Sequence, residues 1–166
     1  MAGGFKNFGP TYKSTNALRL GYEGTLNGSH PLDAAVIAAQ PDGALAGKFA
    51  GMGAAGVKLA AAGGADAVGL FREDLGDMVN ASLNATFYFR GGEYYVAEER
   101  LGAVATTFAV GDSITSDANG KIVKVASGDR ALGTVVFVGE YKAGNMYEWA
   151  GVSANGGKFV GFILHM

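Results

Sequence analysis

Cysteine is absent from the 166 residues, so the chain has no disulfide framework, no thiol nucleophile and no cysteine metal site. Histidine occurs twice, as His30 and His165, one at the end of the leading segment and the other penultimate; both read as surface residues rather than a shared metal site or proton relay. No uninterrupted apolar run approaches the ~18 residues of a membrane span. The opening MAGGFKNFGP lacks the apolar h-region of a secretory signal, so none is expected there. Net charge is only −2, without the basic face of a nucleic-acid binder. The expectation is therefore no nucleic-acid partner, no membrane and no cofactor.

Glycine, by contrast, is abundant. There are 28, more than twice the roughly 7% of ordinary proteins, against 3 prolines. Glycine takes positive φ without steric cost and weakens helices by about 1 kcal/mol each relative to alanine. An all-β domain of short strands and tight turns follows, of barrel or sandwich type. The glycines also repeat. A 64-residue step relates Gly47 to Gly111, Gly56 to Gly120, Gly64 to Gly128 and Gly69 to Gly133. The stretches 45–74 and 109–138 both read strand, glycine turn, strand, glycine turn, strand, which marks a duplicated scaffold rather than a reaction site.

Residues 1–31 read as an extended N-terminal arm, and 32–166 as the β-rich body. Apolar residues in the arm (Phe5, Phe8, Tyr12, Leu18, Leu20 and Tyr22) stand among Gly, Asn, Ser and Lys with neither helical nor strand periodicity. A disordered tail is normally poorer in aromatics. These six are the candidate partner-binding residues, on a segment that orders against a neighbour; the alternative is that it packs on its own domain. Lys6, Lys13 and Arg19 give 1–22 a charge of +3, leaving −5 for the rest.

Within the body, 34–39 reads as a short buried strand, with one helical turn as the alternative, 75–85 as a short helix or loop, and Met146–Val152 and Phe159–Leu164 as strands around a turn at Asn155-Gly156-Gly157. The segment 86–96, with aromatic strands flanking Gly91-Gly92, reads as a β-hairpin. Gly51-Met-Gly-Ala-Ala-Gly56, with Glu73 and Asp74 about 20 residues on, matches the dinucleotide fingerprint by letter. That fingerprint needs a strand feeding a helix, and the six residues before Gly63-Gly64 leave no room for one. Asp112, Asp117 and Asn119 lack the spacing and closing glutamate of a calcium loop and read as a turn. Glu98-Glu99-Arg100 and Arg72-Glu73-Asp74 read as solvated surface charge or an intersubunit ion pair. No nucleophile elbow appears. Neither catalytic nor metal-binding residues are expected.

The run FAVGDSITSDANGKIVKVASGDRALGTVVFVGEY, with GKFAGMGAAGVKLAAAGGADAVGLFRED before it, resembles the decoration (cement) proteins of tailed-bacteriophage heads. The resemblance spans roughly 43–141 and rests on Gly111-Asp112, the turn Asp117–Lys121, the strand Ile122–Val125 and the entry Ala131-Leu132-Gly133. It implies a small β-barrel or β-tulip body on the outer surface of a capsid. Such a protein is made in the host cytoplasm, clamps neighbouring major capsid proteins, has an arm along the shell, and has no catalytic residues or cofactor. Neighbouring copies of the chain, as dimer or trimer, are the second implied partner. A tail-tube or baseplate subunit is the structural alternative, and a small nucleotide-binding enzyme the remaining one.

Overall fold

The computed structural model describes residues 18–22, 25–26, 30–40, 43–75, 84–140 and 157–166. Thirteen strands and one α-helix are present among them. In chain order they are β1 (Leu18–Tyr22), β2 (Thr25–Leu26), β3 (His30–Pro31), α1 (Ala34–Ala39), β4 (Phe49–Gly53), β5 (Gly56–Leu59), β6 (Ala67–Phe71), β7 (Asn84–Ala85), β8 (Phe87–Arg90), β9 (Glu93–Ala97), β10 (Ser113–Ser116), β11 (Ile122–Lys124), β12 (Gly133–Glu140) and β13 (Lys158–Leu164). The six-stranded sheet runs β1-β9-β13-β12-β10-β11, the five-stranded sheet β2-β8-β6-β4-β5, and β3 pairs with β7. The protein is thus all-β, as its glycine content requires. The finer expectation of a barrel is corrected, because the described strands form open sheets rather than a closed one.

The duplication is visible as geometry. In each unit the first strand lies between the other two, giving the orders β6-β4-β5 and β12-β10-β11. Phe49 faces Leu70 and Ala50 faces Gly69; Ser113 faces Thr134 and Ile114 faces Gly133, the same register displaced by 64 residues. The lead-in turns agree as well. Gly47 N donates to Phe71 O at 3.0 Å and Gly111 N to Val135 O at 2.8 Å, while Phe71 N and Val135 N return bonds to Lys48 O and Asp112 O. All three glycine pairs of the lead-in and turn positions have positive φ: 83° and 95° at Gly47 and Gly111, 131° and 69° at Gly56 and Gly120, 69° and 92° at Gly64 and Gly128. The units differ at their central turn. Met52 faces Val57 across the short turn at Ala54-Ala55, whereas Ser116 faces Ile122, one residue out of step, because Asp117–Lys121 is a longer loop.

The units interlock. Phe49 N on β4 donates to Gly120 O at 2.7 Å, and Arg130 N donates to Gly63 O at 2.9 Å. Ser116 Oγ donates to Ala61 O at 2.5 Å. Between the two large sheets Phe49, Leu70, Tyr88, Tyr94, Ile114, Val135, Val160 and Phe162 form one buried core. Ala50, Val57, Phe71 and Phe87 line the opposite face of the five-stranded sheet under Leu32, Val36 and Leu45. Burying each large side chain stabilises by about 1.5–3 kcal/mol.

Two local expectations change. Ala34–Ala39 is a helix, not a strand: Asp33 caps it by accepting from Ala35 N at 2.9 Å, and four alanines supply the best helix former. The hairpin at 86–96 is a corner instead. β8 pairs with β6 and β2, while β9 pairs with β13 and β1, so Gly91-Gly92 carries the chain from one sheet to the other. Each strand thereby gains two ladder partners where a hairpin guarantees one. Tyr88 and Tyr94 also meet in the core, with ring centroids 5.1 Å apart. The turn Asn155-Gly156-Gly157, apart from Gly157, lies outside the described residues, as do the strand expected at 146–152 and residues 76–83. The final strand forms as β13.

Gly120 and Gly111 separate two effects. Both have left-handed backbone, but a Cβ at Gly120 would lie 2.7 Å from Phe49 O, whereas at Gly111 nothing lies within 4 Å. By denaturant unfolding, Gly111→Ala is expected to cost about 1–2 kcal/mol from backbone strain alone. Gly120→Ala should cost about 1–3 kcal/mol more, from the clash. Equal losses would show that the close approach of Gly120 to Phe49 O costs nothing to relieve.

Candidate interaction surface

Several acidic side chains are engaged by backbone amides of turns. Asp117 Oδ1 accepts from Asn119 N at 2.8 Å and Lys121 N at 2.9 Å. Asp112 Oδ2 accepts from Ala109 N at 2.7 Å and meets Lys124 Nζ at 2.9 Å. Asp129 and Asp66 hold Ala126 N and Ala61 N in the same way, and Glu98 holds Ala105 N. Asp74 does more. Its Oδ1 accepts from both Leu45 N and Ala46 N at 2.8 Å, while Oδ2 lies 3.3 Å from Arg100 Nη2, tying the first unit to the segment that enters the second. The surface-charge reading of Asp74 and Arg100 therefore understates them; their side chains are only 19% and 12% exposed. Sequence offered no signal for this pair, whose members are 26 residues apart.

The electrostatics follow from these contacts. The Lys124 hydrogen bond and the Ala109 N–H hold the Asp112 carboxyl below its ordinary 3.8. At Asp66 burial acts upward, but the Lys58 hydrogen bond, the Ala61 N–H and the Lys58 charge outweigh it, and the net displacement is also downward. Among the described residues no three His, Asp or Glu side chains converge as a metal site requires. The Gly51–Gly56 fingerprint is the β4–β5 hairpin, with Gly53 facing Gly56 and no helix after it. His30 stacks on Phe87 with centroids 5.4 Å apart. His165 continues the β13 ladder, its N–H donating to Leu132 O at 2.9 Å. No described helix is long and apolar enough to cross a membrane.

Of the candidate partner-binding residues, Phe5, Phe8 and Tyr12 lie outside the described residues. Leu18, Leu20 and Tyr22 lie on β1, where Leu18 faces Val96, Leu20 faces Tyr94 and Tyr22 faces Glu93, with a bulge at Gly21. Part of the stretch read as an arm thus belongs to the body's sheets: β1, β2 and β3 all fall within 1–31. β1 is the end strand of the six-stranded sheet. The far ends of both large sheets are covered. Leu32 bridges Val57 beside β5, with Asp33 N donating to Val57 O at 2.9 Å; Leu101 bridges Ile122 on β11, with Gly102 N donating to Ile122 O at 2.8 Å. A feature missed from sequence is the aromatic group Tyr95, Phe137 and Phe159 on the face of the six-stranded sheet opposite the main core, with Phe137 stacked on Phe159 at 5.5 Å and Tyr95 and Phe159 themselves buried. Its trace in sequence is the alternation Phe159, Gly161, Ile163. Phe137 and Ile163 are 37% and 41% exposed.

No protein-family model, no curated protein and no solved structure matches this chain.

Two outcomes test this description. Asp74→Ala leaves two amides and a guanidinium without their acceptor, and is expected to cost about 2–4 kcal/mol in denaturant unfolding. Asp74→Asn keeps an acceptor oxygen and should cost less than half as much. Separately, a carboxyl held low in the folded state adds stability that is complete above its unfolded value and is lost as pH falls through the folded value. Removing the Lys124 contact by Lys124→Met should raise the Asp112 value in an NMR titration and move acid unfolding to higher pH. An unchanged Asp112 titration would refute the assignment.

Proposed function

We propose that the chain is a non-enzymatic structural protein of a virion that binds the outer surface of a phage capsid and stabilises contacts between major capsid proteins. The observation that carries this reading is the paired unit, matched in register and in left-handed glycines. It is built from the very turns that resemble the decoration proteins of phage heads. The engagement of the acidic side chains in turn capping supports the same reading, because it assigns them to rigidity. A rigid body with an aromatic leading segment suits adhesion: an extended peptide gains main-chain hydrogen bonds on a sheet edge while its apolar side chains fill pockets. Many copies on one shell let modest contacts act together. On this reading Phe5, Phe8 and Tyr12 contact the shell, and their positive segment complements an acidic capsid seam.

Two measurements test it. Quantitative mass spectrometry of purified particles from cells that make this chain is expected to find it in fixed ratio to the main shell protein. Its absence from the particles would end the proposal; rings or filaments of the purified protein in negative stain would favour a tail-tube role. Deleting residues 1–17, which spares every described strand, is expected to leave the unfolding transition intact while occupancy on expanded shells falls about tenfold or more, the loss of roughly one buried aromatic. Undiminished occupancy would remove the leading segment from the proposal.

A further inference from the structure

The repeat is longer than the three strands that first reveal it. Leu32 bridges Val57 and Leu101 bridges Ile122, both in parallel, and the next amide in each case, from Asp33 or Gly102, donates to the bridged carbonyl at 2.9 or 2.8 Å. A helical turn follows in both, Ala34–Ala39 in the first and Ala105–Thr107 in the second. After the three strands the match continues. Leu70 faces Tyr88 and Phe71 faces Phe87, while Thr134 faces Ile163 and Val135 faces Phe162, so β8 and β13 hold the same place. Their other neighbours are β2 and β9. The orders β2-β8-β6-β4-β5 and β9-β13-β12-β10-β11 are therefore one topology in two copies, and β1 is an added strand beside β9. The first copy ends at Arg90, the second begins at Glu93, and only Gly91-Gly92 lies between.

We propose that 25–90 and 93–164 are two complete copies of one five-stranded unit that recognise each other as separate molecules do, and that the link at Gly91-Gly92 is dispensable for the folded pair. Unlike faces meet. The first unit turns Phe49, Leu70 and Tyr88 onto Ile114, Val135 and Phe162 of the second, all buried in one core. Its other face is closed by its own Leu32, Val36 and Leu45. At the 64-residue step Phe49 and Leu70 correspond to Ser113, which is exposed, and Thr134, which is half-buried; only Tyr88 keeps an apolar counterpart, Ile163. These polar replacements end the series at two units. The bonds across the interface, Phe49 N to Gly120 O, Arg130 N to Gly63 O and Ser116 Oγ to Ala61 O, all lie far along the chain from Gly91-Gly92. Finally, β1 precedes the first unit yet pairs with β9 of the second, a clasp that a break at Gly91-Gly92 leaves in place. Neither half closes the core alone, since each supplies one side of it. This pairing is a property of the fold and does not depend on a place on a shell.

The test nicks the full-length folded chain. A protease recognition sequence of about ten residues is inserted between Gly91 and Gly92, since turns of this kind tolerate added length. A Cβ at Gly91 would meet nothing within 4 Å, and the same holds at Gly128. The same sequence placed between Ser127 and Gly128 therefore serves as the comparison, because it cuts the second unit between β11 and β12. After complete cleavage at Gly91-Gly92, the pieces are expected to stay together near the 16.9 kDa of the natural chain at about 10 µM. When both cut proteins are unfolded in denaturant and diluted, the one cut between the units should recover at least about fivefold more native protein, with an unfolding midpoint that rises with concentration. A circular permutant that starts at Gly92 and ends at Gly91, its original ends joined through the leading segment, makes the same break without a protease and should keep one cooperative unfolding transition. Pieces that separate on cleavage, equal recovery from the two cuts, or an unfolded permutant would each overturn the proposal.

Discussion

The structure depends on backbone that turns left at matched places. Gly47 and Gly111, Gly56 and Gly120, and Gly64 and Gly128 take a φ range that costs an ordinary L-residue about 1–2 kcal/mol. The lead-in turns are then held by matched bonds, Gly47 N to Phe71 O and its counterpart Gly111 N to Val135 O. Strand register is set by these turns rather than by long strands, most of which have five residues or fewer. The acidic side chains act at the same level, because a carboxylate that accepts two amide protons, as Asp117 and Asp74 do, fixes a loop without any regular structure in it.

Much of this was legible because glycine placement is a local signal. The pairs at a 64-residue step predicted two like units, and the identical register of Phe49–Leu70 and Ser113–Thr134 follows from them. The dinucleotide letters at Gly51–Gly56 were also readable as a turn, from spacing alone. Other features depend on partners distant in sequence and left no local trace. Gly91-Gly92 carries hairpin chemistry, yet the strands on either side are claimed by β6 and β13. The apolar run at 34–39 fits strand or helix equally well until the Asp33 cap is counted. Closure into a barrel was not readable at all, since it is decided at the sheet ends, where Leu32 and Leu101 occupy β5 and β11.

The candidate surface was legible in part. Leu18, Leu20 and Tyr22 stand out in sequence by their apolar character, and they lie on the end strand of the larger sheet. That they alternate with Arg19 and Gly21 along a strand is hard to see in a five-residue stretch between Ala17 and Glu23. The outer aromatics Tyr95, Phe137 and Phe159 come from three different strands, so only the sheet assembles them. The turns fix the sheet, and the sheet in turn sets where its edge strand and its two faces lie.

The bond from Phe49 N to Gly120 O also orders events during synthesis. At roughly 5–20 residues per second, several seconds separate the emergence of its two halves from the ribosome. Until Gly120 arrives, the Phe49 amide on β4 bonds to water, and the core that Phe49 and Leu70 share with Ile114, Val135 and Phe162 stays open. A messenger cut short between the units would yield a polypeptide with open, sticky strands and no native state of its own, a natural substrate for chaperones and proteases.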